Sequence, residues 1–256
     1  MIPSFFIGHG APSLALEKND YTDFLKQLAP QLPKPRAIVL FSAHWESRQQ
    51  LVSGAASYET IYDFSGFQDE LYQMQYPAAG DLAIASEVQA LFQQADIAAA
   101  IDTNRGLDHG AWVVLHLLYP QADIPVIALS VNRYLSNAEQ YKIGQALSSL
   151  REKDILIIGS GGTVHNLRRL EWGASHINEW AAEFDNWLEE KLNAWDTEAL
   201  FQYDQIAPYA KEAVPTPEHF IPLLLAMGSG DTNKKATLLH RSYQYGNLSL
   251  SCWKFE

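Results

Sequence analysis

The sequence predicts an α/β protein: one domain with a largely parallel central sheet flanked by helices, plus a C-terminal hairpin. Three observations lead there. Short apolar runs alternate with stretches of helical spacing, the order that builds strand-helix-strand units. No linker-like break interrupts the 256 residues, a length that one core can serve. The chain closes with Ala236 to Tyr245 and Leu248 to Trp253 around Gly246-Asn247, which reads as a hairpin.

Taken in order, Ile2 to Ile7 is an apolar strand that runs into Gly8-His9-Gly10. Asp20 or Thr22 is positioned to cap a helix whose apolar face is Tyr21, Phe24, Leu25 and Leu28. Pro30, Pro33 and Pro35 stop it and lead into the strand Ala37 to Phe41, which ends in Ser42-Ala43-His44-Trp45. After a short strand at Leu51 to Ser53 comes a long loop with Tyr58, Tyr62, Phe64, Phe67, Tyr72 and Tyr76, without helical or strand period. So aromatic a loop is expected to wall or cover a pocket, the other reading being rings that pack on the surface. Asp81 to Gln94 reads as a helix and Ile97 to Ile101 as a strand. Gly106-Leu107-Asp108-His109-Gly110 opens the apolar helix Ala111 to Leu118, closed by Pro120, in which His116 is expected to be a packed residue.

Pro125 to Val131 follows as a strand and Asn137 to Glu152 as an amphipathic helix. The run Asp154 to Ile158 is the most strand-like in the chain and leads through Gly159-Ser160-Gly161-Gly162 to His165. Those glycines match neither the P-loop nor the dinucleotide fingerprint and are read as room for a close backbone approach. A helix is expected from Ser175 to Trp195, with His176 a surface or capping residue near its start. Pro215 to His219 precedes the apolar helix Phe220 to Met227, with Thr216 as candidate cap.

Composition narrows the function. With 18 basic against 30 acidic residues the formal net charge is -12, a surface that repels phosphate backbones, so nucleic acid and anionic membranes are not expected partners. Cys252 is the only cysteine, so a metal here must be held by imidazole, carboxylate or water. No apolar run is long enough to span a bilayer and the N-terminus lacks a signal-like core; the expected compartment is the cytoplasm.

In an α/β sheet, ligands gather at the carboxyl ends of strands. His9, His44 and His165 fall at or just past such ends, and His109 and His219 at turns before helices. Five imidazoles in equivalent places point to one site for Fe(II), Zn(II) or a similar divalent ion. Open coordination positions would serve either a substrate and an oxidant or a water nucleophile.

The residues Gly8-His9-Gly10-Ala11-Pro12, Ser42-Ala43-His44-Trp45, Asp108-His109-Gly110-Ala111-Trp112, Val164-His165-Asn166-Leu167 and Pro215-Thr216-Pro217-Glu218-His219 resemble the 4,5-DOPA extradiol dioxygenase family. This is a branch of the class III extradiol ring-cleavage dioxygenases, and the motifs recur in order over nearly the whole chain. The resemblance implies one catalytic domain over residues 1–256 that opens a catechol beside its two hydroxyls, with molecular oxygen supplying both atoms. It implies His9, His44 and His219 as metal ligands, with Glu218 a competitor for the third place. His165 is similar to a residue on or near the metal that acts as acid or base, and His109 to one that contacts substrate or oxygen. Asp108 or Asn166 is expected to orient neighbouring imidazoles. Arg168 and Arg169 are candidates for a substrate carboxylate or, equally, a solvated surface pair. Two further readings of the same site are a zinc-dependent hydrolase and a non-catalytic metal or small-ligand binder.

Overall fold

The computed structural model describes residues 1–256 and lays eight strands in one sheet. They are β1 (Ser4–Gly8), β2 (Ala37–Glu46), β3 (Gln50–Ser53), β4 (Ala99–Asp102), β5 (Val126–Val131), β6 (Ile155–Gly161), β7 (Ala236–Gln244) and β8 (Leu248–Phe255). Their order across the sheet is β4-β3-β5-β2-β6-β1-β8-β7. The centre, β5-β2-β6-β1, is parallel throughout. The pair β3-β4 is parallel too, whereas β3 meets β5 antiparallel and the β7-β8 hairpin joins β1 antiparallel.

Strands buried on both faces read as continuous apolar runs, and alternate residues then serve opposite cores. Ile38, Leu40, Leu156 and Ile158 pack on one face with Leu25, Trp112 and Leu115, which come from α1 (Asp20–Leu28) and α3 (His109–Leu118). Val39, Phe41, Ile155 and Ile157 pack on the other with Val88 and Phe92 of α2 (Leu82–Gln94) and Ile143 of α4 (Asn137–Ala146). Beside the hairpin a third core joins Trp253 and Phe255 to Phe184 and Leu188 of α5 (Glu179–Asn193). Three one-turn helices follow, α6 (Thr197–Phe201), α7 (Tyr203–Ile206) and α8 (Ala210–Ala213), and then the fully buried α9 (Ile221–Ser229). No helix is long and apolar enough to cross a membrane.

The elements match the sequence reading in kind and differ at several ends. The cap of α1 is Asn19, whose side chain accepts from Thr22 N while the Thr22 hydroxyl accepts from Asn19 N. This reciprocal pair outcompetes Asp20 as the start. Strand β2 continues past Phe41 to Glu46, with a register shift that keeps it paired to Val131, so His44 lies inside the strand. Strand β4 begins two residues late, because Ile97 N still bonds Phe92 O as the chain leaves α2. Helix α4 stops at Ala146 and continues as a 3₁₀ segment, Ser148–Lys153, ended by Asp154 in the left-handed region. Helix α5 starts at Glu179, and His176 before it is exposed and paired with Glu171. Thr216 caps nothing; its hydroxyl donates to Glu218.

Candidate metal centre

The adjacent strands β2, β6 and β1 all end on the same side of the sheet, and each delivers one histidine there: His44 within the extension of β2, His165 four residues past β6 and His9 directly after β1. His219 arrives from a 3₁₀ turn, Pro217–His219, that leads into α9. That turn is pressed against β6. The Gly162 N–H donates to the His219 carbonyl at 2.8 Å, and a Cβ on Gly161 would stand 2.1 Å from that same oxygen. The glycines after Ile158 therefore make room for the backbone that carries His219. His109 is the first residue of α3 rather than the residue ahead of it, because Asp108 is the cap, accepting from Ala111 N. All five histidines named from the sequence come together, and His116 stays away as the one partly exposed residue of α3.

Three ring nitrogens converge. His44 Nε2 lies 3.1 Å from His9 Nε2 and 3.2 Å from His219 Nε2, and one donor atom from each of the three falls within 4.8 Å of the others. The opposite nitrogen of each ring has its own acceptor. His9 Nδ1 donates to the Ser160 hydroxyl at 3.0 Å, which spends its hydrogen on the Gly110 carbonyl. His219 Nδ1 donates to Glu218 at 3.1 Å, and His44 Nδ1 faces Asp63 at 3.4 Å. These partners assign the protons to Nδ1 and leave three Nε2 lone pairs pointed at one another, an arrangement that calls for a cation between them. Burial is the main cause that holds His9 and His219 well below the ordinary histidine pKa, and neighbouring imidazoles add to it. Burial likewise pulls His44 down to about 3. The rings are thus neutral at physiological pH, the form in which imidazole can hold a cation.

A second set lies alongside. Asp63 accepts from the His109 ring at 2.9 Å and from the His109 backbone N–H at 3.0 Å, besides facing His44. Burial alone would raise this carboxyl, but the bond from the His109 ring and the charges beside it bring it down to about 2. Asp63, His44 and His109 also have the spacing of a cation site. The carboxylate orients His109 as a hydrogen-bond acceptor and faces His44 Nδ1 as a neighbouring charge. His165 is outside the set of three converging nitrogens. Its ring lies flat on His219, centroids 3.5 Å apart and planes within 7°, and burial lowers its pKa to about 4.

The expected orienting residues are replaced by others. Asp108 holds the Ser42 hydroxyl, Arg105 and its own helix N-terminus, and Asn166 bonds Arg168 N and Glu212 O. The imidazoles are instead fixed by Asp63, Glu218 and Ser160. Asp63 was missed as such because it sits in the aromatic loop, 46 residues before the ring it holds. Glu218, a competitor for the third ligand place, holds Nδ1 of His219 while Nε2 of that ring joins the three.

His44, His109, His165 and His219 open into a cavity of about 1020 Å³, with His9 buried behind them. Phe64 stands edge-on to His109 at 5.7 Å and to Phe67 at 5.5 Å, so the aromatic loop forms a wall of the cavity. The loop is anchored from behind by Tyr58 on Val126 O and Tyr76 on Tyr119 O, and braced internally by Tyr62 on Met74 O. A second cavity of about 800 Å³, lined by residues such as Arg48, Asn132 and Lys142, contains none of the five histidines.

Residues 5–252 match the model of the catalytic LigB subunit of aromatic ring-opening dioxygenase. The chain is 42% identical to a 4,5-DOPA dioxygenase extradiol of Beta vulgaris, over 98% of this chain and 96% of that one. It is 38% identical to the protein of that name from Mirabilis jalapa, covering 94% and 91%, and 36% identical to the one from Escherichia coli K12, covering 97% and 93%. Among solved structures, the crystal structure of uncharacterized protein JW3007 from Escherichia coli K12 aligns over 100% of both chains with a TM-score of 0.85 at 33% identity.

Proposed function

This chain belongs to the family of the catalytic LigB subunit of aromatic ring-opening dioxygenases and is an extradiol ring-opening dioxygenase; from that premise we propose that it opens a catechol such as DOPA, using one divalent metal ion and molecular oxygen. The observation that carries the metal is the meeting of three Nε2 lone pairs whose rings have their other nitrogen spoken for. His9, His44 and His219 would hold the ion. We read residues 1–256 as one catalytic domain, since these nitrogens come from both ends of the chain.

The ion, Fe(II) in the active protein, would supply Lewis acidity toward both catechol oxygens and the redox chemistry with oxygen that Zn(II) lacks. The protein's own part is positioning and proton handling. His165, kept neutral by burial and facing the cavity, accepts a proton from the incoming catechol. His109 has Nδ1 fixed by Asp63, so its Nε2 is the nitrogen free for substrate or oxygen. Ser160, Glu218 and Asp63 hold the ligand rings in one tautomer. Phe64 and Phe67 give the aromatic ring an apolar wall and keep water from it.

Anaerobic reconstitution with Fe(II), then exposure to oxygen and a set of catechols including DOPA, tests the reading. Oxygen uptake with a yellow ring-opened product is expected from the iron-loaded protein and not from the zinc-loaded one. Absence of both with every catechol, or hydrolytic activity in the zinc form alone, overturns it.

A further inference from the structure

Four of the five imidazoles have a side chain at a ring nitrogen: Ser160 at His9, Glu218 at His219, and Asp63 bonded to His109 and facing His44. His165 has none. Its ring lies on that of His219, so its place is set by the backbone beneath it. That backbone is tied at successive residues. Gly162 N donates to His219 O at 2.8 Å, Val164 O accepts from Ser249 N at 3.1 Å, and His165 N donates to Ala213 O at 2.9 Å.

Behind this segment lies a carboxylate that bonds no histidine and does not line the cavity. Asp185 of α5 is 1% exposed, and its Oδ2 accepts from the Ser249 hydroxyl at 2.6 Å and the Tyr243 hydroxyl at 2.8 Å. Arg241 is an incomplete partner. Its guanidinium pairs with Glu189 at 2.9 Å and bonds the Asp185 backbone O at 3.0 Å, while its Nε stays 3.9 Å from the carboxylate. Burial pushes the carboxyl up, and Arg241, Ser249, Thr163 and Tyr243 act against that. Asp185 Oδ1 and the Thr163 hydroxyl, both buried, are left to each other.

A carboxylate out of water and incompletely paired is costly, and an apolar side chain of similar size would be at least as stable there. What the carboxylate adds is direction. Ser249 gives its hydroxyl hydrogen to Asp185, so Ser251 donates to Ser249 at 2.8 Å, and this row fixes the stretch of β8 whose Ser249 N–H holds Val164 O. Thr163, the residue before Val164, turns toward the same carboxylate. One buried acid thus grips the approach to His165 through a side chain and through a carbonyl.

We propose that Asp185 is a positioning residue for ring opening: through Ser249 and Thr163 it fixes the backbone that carries His165, and with it the point from which this imidazole takes its proton. Asp185 touches neither substrate nor metal and acts only through His165. The assignment rests on the ring-opening reading above for the task of His165.

Asp185→Asn keeps the shape of the side chain and turns one acceptor oxygen into a donor. In the Fe(II)-loaded full-length protein, kcat for L-DOPA is expected to fall about 10- to 100-fold, the scale of a catalytic group displaced by about 1 Å, with KM and metal content unchanged. Ser249→Ala, which keeps the backbone N–H and loses the hydroxyl, lowers kcat in the same direction and serves if Asp185→Asn does not fold. Tyr243→Phe removes a donor from the same oxygen, has no hydrogen bond to residues 162–166 to lose, and keeps kcat. In a His165→Ala background Asp185→Asn costs no further activity, because the two act as one unit. Equal losses in both backgrounds, or equal losses in Ser249→Ala and Tyr243→Phe, assign Asp185 to stability alone and overturn the proposal. Amide hydrogen exchange of the metal-free protein reads the anchor without turnover: in Asp185→Asn the peptide spanning residues 162–166 exchanges faster and the one spanning His44 does not. That result, with no oxygen uptake by wild type from any catechol, refutes ring opening and supports the anchor. Unchanged exchange with ring opening intact refutes the anchor alone, and absence of both refutes both.

Discussion

His44 Nε2 sits between two other imidazole nitrogens, 3.1 and 3.2 Å away, so its ring is the one whose loss disrupts both contacts. His44→Ala is expected to lose most of the bound metal while His116→Ala, a change on the partly exposed side of α3, retains it. Elemental analysis of protein purified without chelators reads this directly, and equal metal in wild type and His44→Ala would refute it. Asp63 acts one step further out, through His44 and His109. Asp63→Asn keeps the size of the side chain and removes the charge, and metal affinity is expected to fall about 10- to 100-fold in a competitive chelator titration with the fold intact. An unchanged affinity would mean that the His44 ring is held by its strand alone. His9, His44 and His165 were legible because an imidazole at the end of an apolar run is conspicuous, and His109 and His219 because each stands in a turn just before an apolar helix. Asp63 and Ser160 were not, since a carboxylate in an irregular loop and a serine among glycines acquire meaning only from what folds against them.

At the scale of elements, the contact between β6 and the turn before α9 sets the position of His219. Gly161→Ala would place a methyl 2.1 Å from the His219 carbonyl oxygen, a backbone atom that cannot swing away, and overpacking of this kind costs about 1–3 kcal/mol or more. Gly162→Ala is the control, because the nearest neighbour to its Cβ is a side-chain atom at 3.5 Å. Urea unfolding is expected to show a lower midpoint for the first variant and little change for the second, together with weaker metal binding in the first. The strands were readable because burial on both faces turns them into unbroken apolar runs. Their ends were less so. The extension of β2 to Glu46 depends on a register shift against β5, and the start of α1 on a reciprocal bond between Asn19 and Thr22, where several neighbouring polar residues compete to cap.

Across the whole molecule the buried imidazoles couple acidity to stability. His9, His44, His165 and His219 are all harder to protonate in the fold than in the unfolded chain, whose histidines titrate near 6.5. The unfolded chain therefore takes up protons first. For the metal-free protein, stability is full above about pH 6.5 and falls as the pH drops toward the folded values, about 4 for His165 and about 3 for His44. Each such histidine contributes up to about 1.4 kcal/mol per pH unit in that window. Asp63 pulls the same way at lower pH, its stabilisation present above the ordinary carboxylate range and lost through about 2. Urea unfolding of metal-free protein between pH 7.5 and 4.5 is expected to show this decline, and a flat profile would refute it. The three converging nitrogens also lie far apart along the chain, 35 residues between His9 and His44 and 175 between His44 and His219. During synthesis the first two emerge early, and the third only after most of the sheet has been made. A metal held by these three nitrogens would therefore be captured late in biogenesis, after docking of the last third of the chain, and a nascent chain cut short before residue 219 would offer only part of the set.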